Sequence, residues 1–225
     1  MLVGSDVLLG TDPPDSEYLE AYRQLRASLL ALRSEQDFRS VLVTSASDGE
    51  GKSTVALNLA TVLALASRTS ICVDLDLHRP SLHECIDAPI EPGISDVMAG
   101  TAELDSAICE TGINGFRLIP AGGLYQQRAD SLGVDTAENL FEDITRRAEF
   151  VIVDSAPVLD FAVSQEVARM VDVCMVVARA RRSIATVVRA CEMLEDVGGV
   201  VAGIIVNDIL PEDRTAAAQV YYEAP

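Results

Sequence analysis

Six apolar runs constrain this chain more than any other feature. They are Val41-Leu42-Val43, Ile71-Cys72-Val73, Phe116 to Ile119, Val151-Ile152-Val153, Val173 to Val177 and Val201 to Val206. Each is continuous rather than alternating, the pattern of a strand covered on both faces. Helical periodicity fills the gaps, over about 53–66, 134–148, 161–169 and 183–196. Strand–helix alternation of this kind predicts an α/β fold, a doubly wound and mostly parallel sheet with helices on both faces. Such sheets bind ligands beyond the C-terminal ends of their strands. One more helix is expected ahead of the first run, over about Ser16 to Arg33. There Tyr18, Tyr22, Leu25, Leu29 and Leu32 form one apolar face, and Asp15, Ser16 and Glu17 suit the positive N-terminus.

At 225 residues the chain fits one large domain. Asp12-Pro13-Pro14-Asp15 stops any helix, so 1–15 read as a linker and 16–210 as the domain. Residues 211–225 are polar and Ala-rich and read as a flexible tail, with Tyr221 and Tyr222 near its end. The formal charge of −18 repels nucleic acid and anionic lipid headgroups. Aromatics at 4% with no Trp leave no platform for stacking bases. No run reaches the length of a membrane span and no signal peptide opens the chain, so a soluble cytoplasmic protein, or a soluble part of something longer, without direct membrane insertion is expected. The five cysteines form no Cys-x-x-Cys pair and read as small buried hydrophobes.

The chemistry concentrates where the first run ends. Ala46-Ser47-Asp48-Gly49-Glu50-Gly51-Lys52-Ser53-Thr54 leads straight into a helix, and Lys52 is the only lysine in the chain. This is the arrangement of a P-loop, whose backbone N–H groups and helix N-terminus cradle phosphates. Gly49, Glu50, Gly51, Lys52, Ser53 and Thr54 are the candidate nucleotide-binding residues. Lys52 would neutralise β/γ charge, and Ser53 would ligate Mg²⁺. Ala46 stands where the strict pattern asks for Gly, which is compatible with the loop if its φ is negative. Asp74 and Asp76 end the second run, where two like charges need a cation beside them. Asp154 ends the fourth run as a Walker B carboxylate would, holding a metal through water. Asn207 ends the last run; it could pair with adenine, and equally could be a turn residue.

Taken together these motifs resemble the bacterial tyrosine kinases of capsule and exopolysaccharide production, over about Asp12 to Asp208. The resemblance rests on the Glu20-Ala21-Tyr22-Arg23-Gln24-Leu25-Arg26 helix and on the P-loop. It rests also on Asp74-x-Asp76 with Arg79-Pro80, which is similar to the family's second Walker A motif. Pro92 to Gly100, Ile119-Pro120-Ala121-Gly122 and Asp154-Ser155-Ala156-Pro157-Val158-Leu159 match further segments. The chain departs from the pattern at His78, Ala156, Val163 and Gln127 to Leu132, where the family usually has Arg, Pro, Asp and Asn-Pro-Ala-Glu-Leu-Leu.

The resemblance implies an ATP- and Mg²⁺-dependent tyrosine autokinase of the P-loop NTPase fold. Asp76 is the candidate base, and Asp74 and Asp154 are the candidates for metal positioning. Glu20, Arg23 and Arg26 would join subunits into a ring-like homo-oligomer. From spacing alone the same three read as a solvated charged face. Tyr221 and Tyr222 would be the autophosphorylation sites. The implied partner is a cytosolic segment of a transmembrane regulator of polysaccharide chain length, which would recruit the chain to the inner face of the membrane. Two other readings stand beside this one. A septum-site or partition-type positioning ATPase usually carries an extra lysine early in the P-loop, where Ser45-Ala46-Ser47-Asp48 has none. A degenerate family member would bind nucleotide and act only as an interaction module.

Overall fold

A computed structural model describes residues 16–123 and 134–208. The expected linker, the altered 127–132 segment, Tyr221 and Tyr222 lie outside the described residues. The elements run α1 (Ser16–Glu35), β1 (Ser40–Ser45), α2 (Lys52–Leu65), β2 (Ser70–Leu75), α3 (Leu82–Cys85), α4 (Ile94–Met98), α5 (Leu104–Ala107), β3 (Cys109–Glu110), β4 (Phe116–Ile119), α6 (Val134–Thr145), β5 (Phe150–Ser155), α7 (Ala162–Ala168), β6 (Val173–Arg179), α8 (Ile184–Asp196) and β7 (Val201–Asn207). Every expected strand and helix is present.

The strands form one sheet in the order β3-β4-β2-β5-β1-β6-β7. All pairs are parallel except β3 with β4. Parallel strands need crossovers, and the helices that make them cover both faces. Their alternate residues therefore build two cores. Val41, Val43, Cys72, Ile152 and Val177 meet α1 and α2 on one face. Leu42, Val73, Val153 and Val176 meet α6, α7 and α8 on the other. At roughly 25 cal/mol per Å² of buried apolar area, these two layers are the main source of stability.

The continuous apolar runs thus mean what they predict for β1, β2, β5 and β6, which are buried along nearly their whole length. The exception is β7. Its run was expected to be covered on both faces, but it lies at the end of the sheet, and Ile204 and Val206 are 41% and 38% exposed. An edge strand has a strand neighbour on one side only, and the run of residue types cannot reveal its place in the order. The short helices α3 to α5 and the two-residue β3 carry too few residues to show a period, so hydrophobic patterning does not reveal them.

All five cysteines are free thiols; Cys72 and Cys174 are buried as expected, whereas Cys85, Cys109 and Cys191, which lie outside the central strands, are only partly buried. The α1 helix lies against α2 through the expected stripe, with Leu29 fully buried and Tyr22 nearly so. Tyr18 receives a hydrogen bond from Asn58 of α2 at 3.0 Å, and burial raises its hydroxyl above the ordinary range. Among the described residues no helix is long and apolar enough to cross a membrane.

Candidate nucleotide site

Three central strands end side by side, and their C-terminal ends carry the expected residues. β1 runs into the P-loop, β5 ends at Asp154-Ser155, and β2 ends beside Asp76, with Asp74 paired in register with Asp154.

The P-loop folds as its glycines require. Gly49 and Gly51 have φ of 78° and 92°, a region that side chains rarely enter. Ala46 is not among the positive-φ residues, so the departure from Gly at that position is harmless. A Cβ on Gly51 would also collide with the amide of Asn207. Glu50 is 2% exposed, and its carboxylate accepts from the N–H groups of Ala46 (3.1 Å) and Ser47 (3.3 Å). It therefore closes the loop on itself. From the sheet edge, Asn207 Nδ2 donates to the Glu50 carbonyl at 3.0 Å, while its Oδ1 accepts from the Asp208 N–H at 2.9 Å. The sequence offered Asn207 as an adenine partner or a turn residue; the structure adds that it latches the P-loop to β7. Sequence reasoning missed this because the two residues are 157 positions apart.

Lys52 opens α2 and is 6% exposed, with Nζ 3.9 Å from Asp76 Oδ2. Asp76 Oδ1 accepts the Arg79 N–H at 3.1 Å. Asp74 is fully buried. Its Oδ1 accepts from the N–H of Asp76, and its Oδ2 accepts from Ser81 and Leu82, each of the latter at 3.1 Å. Asp74 thus supplies the cap for α3 that the Ser81 side chain does not. Burial still raises its carboxyl to about 7, with the charge of Asp76 adding to the shift and the three N–H donors opposing it. Asp154 is the extreme case: it is fully buried, and among the described residues neither carboxylate oxygen has a hydrogen-bond partner. Burial first, and then the neighbouring Asp74, hold it well above the usual carboxylate range, while the Ser53 hydroxyl and Lys52 pull the other way. Among the described residues no three His, Cys, Asp or Glu side chains converge as a metal cluster.

A lysine at a helix N-terminus, facing buried carboxylates behind a glycine-rich loop, suits the binding of a phosphate chain. The sequence model of the CobQ/CobB/MinD/ParA nucleotide-binding domain matches residues 41–224. The chain belongs to that family.

Within this nucleotide-binding family its curated relatives include bacterial tyrosine-protein kinases. It is 31% identical to the tyrosine-protein kinase Etk of Escherichia coli K12 over 209 residues, 92% of this chain and 29% of Etk. It is 25% identical over 212 residues to CapB of Staphylococcus aureus, a protein named for tyrosine kinase activity, covering 94% of this chain and 92% of CapB. The chain therefore matches CapB over almost its whole length but spans under a third of Etk. The solved kinase domain of Escherichia coli Etk superposes with a TM-score of 0.79 at 29% identity, over 86% of this chain and 76% of that one. The resemblance to bacterial tyrosine kinases expected from the sequence is borne out, as is the P-loop NTPase fold.

The proposed subunit-joining stripe divides in two. Arg23 and Glu20 face each other at 3.5 Å, both more than half exposed, whereas Arg26 donates to the Val62 carbonyl of α2 at 3.0 Å. Two contacts were not foreseen. Arg79 reaches Asp48 of the P-loop at 2.8 Å. His78 stacks on Phe161 with ring centroids 3.9 Å apart.

Proposed function

We propose that this chain is a MgATP-dependent protein-tyrosine autokinase acting in the production or export of a capsular or exopolysaccharide. The observation that carries this reading is Asp154, a buried carboxylate with both oxygens unpartnered, beside Lys52 and Ser53. Such a group is costly unless a cation completes it. Ser53 and, through water, Asp154 would hold Mg²⁺, which neutralises charge on the β- and γ-phosphates when bound. Asp74 stands close by, but its oxygens already serve backbone N–H groups, so it would act on the metal through Asp154's electrostatics.

The chain's own groups then divide the work. The P-loop N–H groups and Lys52 bind the phosphates, with Lys52 drawn from Asp76 toward the γ-phosphate. That frees Asp76 Oδ2 to take the proton of a tyrosine hydroxyl, whose ordinary pKa of about 10 calls for a positioned base. The tyrosine oxygen bonds to the γ-phosphorus as the β–γ bridge bond breaks, and ADP leaves with the electron pair. Glu50 and Asn207 keep the loop in shape throughout.

In this reading Tyr221 and Tyr222 are the acceptors, delivered by a neighbouring subunit of a ring-like oligomer built on Glu20, Arg23 and Arg26. The activator is a cytosolic segment of a transmembrane chain-length regulator, which brings the chain to the inner face of the membrane. The test is to incubate the protein with MgATP, with and without candidate activator segments, and to map phosphotyrosine by mass spectrometry. Phosphate on Tyr221 and Tyr222 that disappears in Lys52→Ala is expected. No phosphotyrosine under any condition would overturn the reading.

A further inference from the structure

We propose that His78 and Phe161 form an aromatic platform that seats the ring of the acceptor tyrosine; this rests on the kinase reading above. Of the five phenylalanines, Phe38, Phe116, Phe141 and Phe150 are at most 3% exposed. Phe161 alone is half-buried, and the ring stacked on it at 3.9 Å and 29° belongs to an exposed histidine. In a chain with 4% aromatics, an aromatic pair left open to solvent is conspicuous.

Its position gives it a use. His78 lies two residues beyond Asp76, on the turn closed by the Arg79 N–H on Asp76. Phe161 ends the loop that leaves Asp154, held by its N–H on the Pro157 carbonyl at 3.1 Å. The stack thus joins the loops that follow β2 and β5, the two strands that carry the candidate base and the unpartnered carboxylate. Asn207 stands at the far edge of the sheet, two strands beyond β1. A nucleotide whose phosphates sit over the P-loop and whose base lies toward Asn207 leaves the β2–β5 side to its γ-phosphate. An acceptor must approach from that side, and the platform is there.

The chemistry fits a tyrosine. A third ring can stack on the open side of a histidine–phenylalanine pair, and aromatic contacts contribute beyond the area that they bury. Arg79, adjacent to His78, is 76% exposed at its side chain; its guanidinium pairs with Asp48 at 2.8 Å and keeps further N–H donors that an acidic peptide could share. The tail reads Tyr221-Tyr222-Glu223, so its acidic flank is complementary.

The test measures binding and phosphorylation together. A peptide of residues 212–225 is titrated into the full chain carrying Lys52→Ala, with and without Phe161→Ala, His78→Ala or His78→Phe. Phosphotyrosine formation is followed in the same platform variants with Lys52 intact. Loss of the platform should weaken peptide binding about 3- to 10-fold. His78→Phe should restore it, and a peptide with both tyrosines changed to Ala should bind weakly to every variant. Affinity for a fluorescent ATP analogue should be the same in all platform variants.

Peptide affinity unchanged in Phe161→Ala and His78→Ala would overturn the platform, and so would a parallel loss of ATP affinity, which would assign the pair to the nucleotide. The kinase reading fails separately. If the parent chain makes no phosphotyrosine but platform variants still lose the peptide, the platform stands and the kinase reading falls.

Discussion

The two ends of one sheet treat their carboxylates in opposite ways. At the N-terminal end, Asp172 accepts from the N–H groups of Arg39 and Ser40 and from the Ser40 hydroxyl, at 2.7–2.8 Å. Burial would raise it, but those donors bring it below the ordinary carboxylate value. Glu149 at the same end pairs with Arg33 and Arg68. At the C-terminal end, Asp154 has no partner for either oxygen among the described residues, and Asp74 is raised despite three donors. Acids at the first end fasten loops and helices to the strands. At the second, Asp154 sits where the fold alone leaves it unsatisfied, and an unsatisfied buried carboxyl is a place kept for a ligand.

The largest effect that would sharpen this contrast comes from Lys52. Lys52→Ala should cut phosphotyrosine formation by about 10²–10³-fold, the scale of losing one preorganised charge donor. Circular dichroism should remain that of the parent, since the helix following the loop is packed by Leu57, Leu59 and Leu63 rather than by Lys52.

Neutralising one carboxylate at each end should then move stability in opposite directions. Asp154→Asn should end phosphorylation yet raise the unfolding free energy of the nucleotide-free chain near pH 7, by roughly 1–3 kcal/mol, because folding then no longer forces a buried, unpartnered carboxyl to take up a proton. Asp172→Ala should keep activity and lose roughly 1–2 kcal/mol, because it strips hydrogen bonds from the start of β1. Equal signs in the two variants, read by urea unfolding, would break the comparison.

The pH dependence follows from the same contrast. The Asp74 carboxyl is raised to about 7, so the folded chain holds this proton more tightly than the unfolded one. Its contribution to stability is complete below the unfolded value near 4 and is lost as pH rises toward 7. The stability of the parent minus that of Asp74→Asn should therefore fall across that window, by at most about 1.4 kcal/mol per pH unit. A flat difference would mean that its three N–H donors outweigh burial. Asp172, whose carboxyl is lowered, should lose its contribution only as pH drops below the ordinary carboxylate range.

The smallest effects belong to the α1 stripe. Arg23→Ala removes an exposed pair that contributes about 0.5 kcal/mol or less, so the monomer should unfold as before while any ring weakens. Arg26→Ala also loses the bond to Val62 and should cost about 1 kcal/mol in the monomer. Light scattering and thermal unfolding on both variants separate assembly from folding.

Much of this was legible in the sequence because it is local. Nine consecutive residues carry the P-loop, and its conformation depends on Gly49 and Gly51, whose freedom at positive φ is a property of the residue type. The central strands announce themselves because two packed faces demand apolar side chains at every position. The carboxylates at the strand ends follow once the strands are found.

Other features depend on what the fold brings together, and residue types along the chain do not encode that. The apolar run predicted a β7 covered on both faces, and only the strand order placed it at the edge of the sheet. Asp74 read as a metal carboxylate, and only the approach of Ser81 and Leu82 gave its oxygens other partners. Asn207 meets Glu50, and His78 meets Phe161, across parallel crossovers that bring distant loops to one end of the sheet. The sequence by itself determined the fold class and the phosphate loop, because backbone propensity and hydrophobic period act within a few residues. Which carboxylate is satisfied and which is left waiting was decided only by tertiary structure, because burial and hydrogen-bond donors at a strand end come from segments that sequence order keeps far apart.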